Sequence, residues 1–294
     1  MNTSLVFRCA SYQQVIPSVG QSKEGDVEMK EVTFRHNVII VTGASFGIGE
    51  QLALQLADCG AWLALAARTA ERLEEVSKQC IQRGGRATVI PTDIAEESQC
   101  HNLIERTVAE YGRVDTLINN AGFGIASRFD ALPDLSLFEK VIQVNFLGSV
   151  YCTYHALPYL KETRGRLVGI SSLRGKFPSA TADGYGASKH AMAGFFDSLR
   201  IELADSGVSV TMIYPGWVST GISSRALKVD GNPTGKIAVH ERGAMPVDTC
   251  ARMIIHAAKR RKREVVMTLQ GKFGLWFRLI APGIVDQSTR KNTG

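Results

Sequence analysis

The stretch Val38-Ile39-Ile40-Val41-Thr42-Gly43-Ala44-Ser45-Phe46-Gly47-Ile48-Gly49 decides how this chain folds. Its first four residues are apolar without polar alternation, the pattern of a strand covered on both faces. Three glycines follow, at 43, 47 and 49, and a helical run from Glu50 to Asp58 comes next. Glycines between a strand and a helix permit a tight turn and let the backbone approach a bound pyrophosphate. That anion would rest on the free N–H groups of the helix N-terminus. The spacing is G-x-x-x-G-x-G rather than G-x-G-x-x-G. A plain strand-to-helix turn is the alternative use of the same residues.

Working outward, β and α patterns alternate. Strands are expected at Trp62 to Ala66, Ala87 to Pro91, up to Leu117-Ile118, Arg166 to Ser171 and Val208 to Ile213. Helices are expected at Ala70 to Arg83, Glu96 to Tyr111 and about Leu135 to Lys161, with another running to about Ser206. Right-handed crossovers between such strands give an α/β fold, a doubly wound parallel sheet in one domain. We place that domain at 37–270. Residues 1–36 read as a poorly ordered N-terminal extension with a short strand or helix near Met29 to Phe34; a transit peptide stays open, but no apolar run suits a signal peptide. Residues 271–294 form an amphipathic, basic tail. The 294 residues suffice for a buried core, and a net charge of +6 suits an anionic ligand or surface. No C-x-x-C pair occurs among the six cysteines, so neither a zinc site nor a disulfide framework is expected, and a reducing compartment is the simpler reading. The six histidines are dispersed, and no metal site is expected.

Proton chemistry concentrates between Ser172 and Lys189. Tyr185 and Lys189 are four apart, so on a helix they share a face. An ammonium beside a phenol favours the phenolate and draws the tyrosine toward a working pKa. Ser172, thirteen residues before Tyr185, could hydrogen-bond the same substrate oxygen. By itself the Tyr–Lys pair could equally face solvent.

Seven pieces stand in one order: TGASFGIG (Thr42 to Gly49), TDI (Thr92 to Ile94), NNAG (Asn119 to Gly122), Asn145, Ser172, YGASK (Tyr185 to Lys189) and PGWVST (Pro215 to Thr220). In order and spacing they resemble the short-chain dehydrogenase/reductase family, in its shorter single-domain subclass, over about Asn37 to Thr268. The resemblance implies a Rossmann-type sheet of about seven strands, the seventh near Glu264 to Thr268, and a homodimer or homotetramer. It also implies an oxidoreductase passing hydride between a nicotinamide cofactor and a carbonyl or secondary alcohol. Tyr185 would be the acid/base, Ser172 would position the substrate oxygen, Lys189 would lower the tyrosine pKa and bind ribose, and Asn145 would keep a proton-relay water. Gly43, Ser45, Phe46, Gly47, Ile48 and Gly49 would hold the pyrophosphate end. Asp93 and Ile94 would flank adenine, and Asn120, Ala121 and Gly122 would line its ribose. Pro215, Gly216, Val218 and Thr220 would hold the nicotinamide end.

Where an NAD enzyme places a carboxylate after the second strand, this chain has Ala67 followed by Arg68. A guanidinium pairs with a 2′-phosphate that a carboxylate would repel, so NADP(H) is expected rather than NAD(H). Arg68 could instead stack on adenine or cap the strand. Phe123, Phe177 and Trp217 make the pocket partly apolar, and about Thr220 to Met245 reads as a substrate lid. A 3-oxoacyl thioester reductase and a non-catalytic NADP(H)-sensing protein share these motifs. No nucleic-acid module accompanies the basic run Lys259 to Arg263, so nucleic acid is not an expected partner. A cytoplasmic location is expected, with peripheral membrane contact through the tail.

Overall fold

The apolar runs become seven parallel strands: β1 (Val38–Thr42), β2 (Trp62–Ala67), β3 (Arg86–Pro91), β4 (Thr116–Asn119), β5 (Arg166–Ile170), β6 (Ser209–Tyr214) and β7 (Glu264–Val266). Their order is β3-β2-β1-β4-β5-β6-β7. This computed structural model describes residues 33–291 except Ala126, Ser179, Thr181, Ala182, Val229 and 236–242. Most of the short element expected near Met29 to Phe34 therefore lies outside the described residues. Phe34 itself is buried, with the Arg166 guanidinium 5.2 Å above its ring.

Alternation along β1 explains both layers. Ile39 and Val41 pack with Leu52, Leu73 and Ile254 on one face, whereas Ile40 packs with Leu103, Ala156 and Phe196 on the other. The first set comes from α1 (Gly47–Asp58), α2 (Ala70–Gln82) and, late in the chain, α8 (Val247–Lys259); the second comes from α3 (Glu97–Tyr111), α5 (Gly148–Glu162) and α6 (Asp183–Glu202). A strand with apolar side chains on both faces must be covered twice, which is the doubly wound, Rossmann-like arrangement. Ile40 pairs with Ala64 of β2 on one side and Leu117 of β4 on the other. The chain steps outward through β2 and β3, then returns to lay β4 beside β1. Ligands of such sheets sit where the order reverses, outside the carboxyl ends of the strands.

The helix expected over 135–161 is in fact three pieces. α4 (Ser136–Ile142) passes through a π-helical turn (Gln143–Leu147) into α5. An inserted residue widens that turn, and the side chain of Asn145, fully buried within it, bonds across space to both backbone groups of Phe123. α6 ends at Glu202, before the expected Ser206, and a short turn at Ala204–Ser206 leads to Gly207 with φ +77°. The expected lid contains the single-turn α7 (Ile222–Arg225) and is tied to the β4 loop by the Leu227 N–H donating to the Gly124 carbonyl at 3.0 Å. The tail folds as α9 (Leu269–Ile280) and α10 (Pro282–Lys291).

Candidate active site

Every motif read from the sequence falls at the carboxyl end of a strand or on the helix that follows. The turn after β1 holds Gly43, Ser45, Phe46, Gly47, Ile48 and Gly49. Gly43 and Gly47 have φ of +66° and +59°, and a Cβ on Gly49 would lie 2.2 Å from the Gly43 carbonyl oxygen, so glycine is required there. No side chain caps the first turn of α1, which leaves its N–H groups available to an anion. Arg68 follows β2, exposed, and none of its N–H groups has a partner among the described residues. Asp93 and Ile94 follow β3. The Asp93 carboxylate accepts from Ala95 N–H at 3.0 Å and closes its own turn.

Thr42 knits the β4 loop to β1. Its hydroxyl accepts from the backbone N–H groups of Asn120 (3.0 Å) and Ala121 (3.1 Å), and Asn120 Nδ2 donates to the Thr42 carbonyl at 2.9 Å. Gly122 then passes close to two groups at once. A Cβ there would stand 2.9 Å from Asn145 Oδ1 and 3.6 Å from Lys189 Nζ.

Beyond this loop opens a cavity of about 470 Å³. Ile48, Asn120, Gly122, Ser172, Tyr185, Lys189, Pro215, Gly216, Val218 and Thr220 line it. Gly43, Ser45, Phe46, Gly47, Gly49, Arg68, Asp93 and Ile94 lie outside that lining, along the ends of β1, β2 and β3; half-buried Ala121 sits between the lining residues Asn120 and Gly122, and Asn145 is fully buried next to Gly122. This division suits an elongated ligand crossing the strand ends into the cavity. The residues present fit a dinucleotide in their chemistry: an uncapped helix N-terminus, a glycine turn and a free guanidinium.

α6 carries Tyr185 and Lys189 in its first two turns. Asn145 fixes that end of the helix, because its Nδ2 donates to Ser188 Oγ at 3.1 Å while Ser188 Oγ donates to the Tyr185 carbonyl at 2.7 Å. Burial pushes the Tyr185 phenol up, opposed by the nearby Ser172 hydroxyl and by the Arg174 guanidinium. The sequence reading gave the opposing charge to Lys189. In the structure its Nζ lies 5.8 Å from the centre of the Tyr185 ring, and burial lowers its pKa to about 8. Arg174, which the sequence places between Ser172 and Lys189, is a second cation beside the phenol. Nothing local in the sequence distinguishes it from a solvent-facing arginine.

Comparison with known proteins gives a consistent picture. A family model described as short chain dehydrogenase matches residues 37–229. A Dictyostelium discoideum protein named "Dehydrogenase/reductase SDR family protein 7-like" is 31% identical over 270 residues, covering 90% of this chain and 84% of its own. An "11-beta-hydroxysteroid dehydrogenase" of Pinus massoniana is 34% identical over 260 residues, covering 86% of this chain and 73% of its own. Among solved structures, an alcohol dehydrogenase from the archaeon Thermococcus sibiricus complexed with 5-hydroxy-NADP superposes with a TM-score of 0.68 at 28% identity, over 79% of this chain and 95% of that one.

Proposed function

The chain belongs to the short-chain dehydrogenase family of oxidoreductases, and from that premise we propose that it interconverts a ketone and a secondary alcohol with NADP(H). The observation that carries this reading is one juxtaposition: the Ser172 hydroxyl and the Tyr185 phenol line the same cavity wall, close enough for the serine to oppose the rise in the phenol's pKa. A carbonyl oxygen placed between them meets two O–H groups on neighbouring elements.

Bound nicotinamide supplies the hydride, or receives it in the reverse direction. Tyr185 gives its phenolic proton to the oxygen as the carbonyl becomes an alcohol, and Ser172 donates a hydrogen bond to the same oxygen. Lys189 binds the nicotinamide ribose and, with Arg174, keeps positive charge near the phenolate that remains. Asn145 holds Phe123 and Ser188, and through them the turn of α6 that carries Tyr185; reprotonation through a water beside it belongs to the same proposal. The Gly43 to Gly49 turn takes the pyrophosphate, Asp93 and Ile94 the adenine, Asn120 to Gly122 the adjoining ribose, and Pro215, Gly216, Val218 and Thr220 the nicotinamide. Arg68 takes the 2′-phosphate, because Ala67 offers no carboxylate to repel it. Tyr185→Phe tests the reading: turnover should vanish while NADPH still quenches protein fluorescence, and retained turnover would refute it.

A second proposal concerns the tail. Gly271, Gly274 and Leu275 face the loop Leu173 to Phe177, whereas Leu269, Phe273, Trp276 and Ile280 form one exposed stripe at helical spacing. No helix among the described residues is long and apolar enough to cross a membrane. We propose that the stripe rests on an anionic lipid surface, with exposed Lys272 beside it.

A further inference from the structure

Tyr185 and Ser172 handle the proton; the second cation in the cavity wall, Arg174, lends its charge to the phenol but has N–H groups that this role leaves unpaired. Arg174 follows Ser172 by two residues, and its backbone N–H donates to Ser172 Oγ at 3.2 Å. Its side chain lines the cavity with Tyr185, and its guanidinium carbon lies 5.4 Å from the centre of the Trp217 ring. Among the described residues, no carboxylate pairs with this guanidinium, and none of its N–H groups has a hydrogen-bond partner. Among the described residues, no Asp or Glu lines the cavity.

The neighbouring cations are all engaged. Lys176 pairs with Glu264 at 2.9 Å, Lys189 donates to the Ile170 carbonyl at 2.8 Å, and Arg225 donates to the Thr220 carbonyl at 2.7 Å. Burial pulls the Arg174 pKa down, the direction expected of a cation short of partners. A half-buried charge without a counter-ion is unfavourable unless something arrives to pair with it. Held over an indole, a planar guanidinium suits a carboxylate bound through two parallel hydrogen bonds. The remaining wall is largely apolar, with Ile125, Leu173, Trp217 and Ala226 among its residues.

Resting on the oxidoreductase reading of the same cavity, we propose that Arg174 is its anion-binding residue and that the substrate is an oxo acid, or the matching hydroxy acid, with an apolar body. The carboxylate pairs with Arg174 while the carbonyl or hydroxyl group meets Tyr185 and Ser172. A neutral ketone would leave the guanidinium unpaired in the complex, so the cavity should discriminate against it.

The test uses matched probes: benzoylformate and benzoylpropionate, the methyl ester of each, and acetophenone, each with NADPH and the full chain. In the wild-type protein at least one acid should exceed its ester by about 10- to 100-fold in kcat/KM, the range of a charge-assisted hydrogen bond. In Arg174→Ala that ratio should fall toward one, chiefly through the KM of the acid, and Arg174→Lys should restore part of it. A wild-type ratio of one or less for both pairs overturns the proposal, as does a ratio unchanged in Arg174→Ala. If acetophenone or the esters are reduced but neither acid is preferred, only the Arg174 proposal fails. If no probe is reduced, the ketone reading fails, and calorimetric titration of each acid and ester into the protein decides the anion site. Tighter binding of an acid than its ester, lost in Arg174→Ala, supports the site; equal binding ends it.

Discussion

The ammonium of Lys189 donates a 2.8 Å hydrogen bond to the carbonyl of Ile170, the last residue of β5. The amine is 3% exposed, and burial lowers its pKa from 10.5 to about 8. The sign of its effect on stability follows. Below pH 8 the amine is charged in both states, and folding bears the whole cost of burying it. Between pH 8 and 10.5 the unfolded chain keeps a proton that the folded chain releases, so stability from this group rises with pH through that window. Lys189→Met should therefore stabilise the cofactor-free protein by about 1–2 kcal/mol at roughly pH 7, after allowing for the lost hydrogen bond, and turnover should disappear. The gain should shrink as the pH approaches 10.5. Urea unfolding at several pH values reads it, and a variant less stable than wild type at neutral pH would contradict the assignment.

Arg68 should decide which cofactor is used. Its side chain is exposed beyond β2 and answers to no other group among the described residues. Removing one charge-assisted contact to a phosphate costs about 1.5–3 kcal/mol, so Arg68→Ala should raise the KM for NADPH roughly 10- to 100-fold. NADH, lacking that phosphate, should be little affected. Initial rates with both cofactors check this; an equal loss with each would assign Arg68 to the adenine instead.

Much of this architecture is written locally. Val38 to Gly49 announces a strand, a turn and a helix because apolar continuity and glycine placement are properties of neighbouring residues. The four-residue step from Tyr185 to Lys189 likewise places two side chains together once a helix is assumed, and the structure sets both on the cavity wall. The π-helical turn at Gln143–Leu147 is not written this way. It coincides with bonds from Asn145 to Phe123, a partner twenty-two residues away across the sheet edge, and no local periodicity records such a bond. Arg174 escapes for a related reason. Its meaning lies in the absence of carboxylates, among the described residues, from a wall assembled out of five separate stretches, which only the folded chain brings together. The apolar residues of α9 were legible as a group, but which of them face outward depends on the loop Leu173 to Phe177 beneath.

Thr42 offers a test of how the nucleotide side of the cleft is held. The residue is 1% exposed, and its hydroxyl accepts from two backbone N–H groups while donating to the Ile118 carbonyl at 3.2 Å. Thr42→Val keeps the shape and removes all three bonds, which should cost about 2–3 kcal/mol of stability. Because the displaced loop carries Asn120 to Gly122, cofactor affinity should weaken as well. Thr42→Ser, which keeps the hydroxyl, should stay within about 1 kcal/mol of wild type. Denaturant midpoints with and without NADPH separate the two effects, and a Val variant as stable as wild type would show that the hydroxyl is dispensable.

The exposed stripe of α9 calls for a surface to cover it. Trp276 is 72% exposed, Phe273 73% and Ile280 80%, and burying even two such side chains contributes about 3–6 kcal/mol. That exceeds what exposed Lys272 alone could supply through anionic headgroups, so binding should survive moderate salt but not loss of the aromatics. Vesicles containing phosphatidylserine should carry the wild-type protein down on centrifugation, whereas Phe273→Glu combined with Trp276→Glu should leave it in the supernatant. Thermal unfolding of the double variant confirms that its fold is intact. Two outcomes would defeat the lipid reading: wild-type protein that ignores the vesicles, or a variant whose chief change is dissociation of a dimer on size exclusion, which would give the stripe to a second copy of the chain.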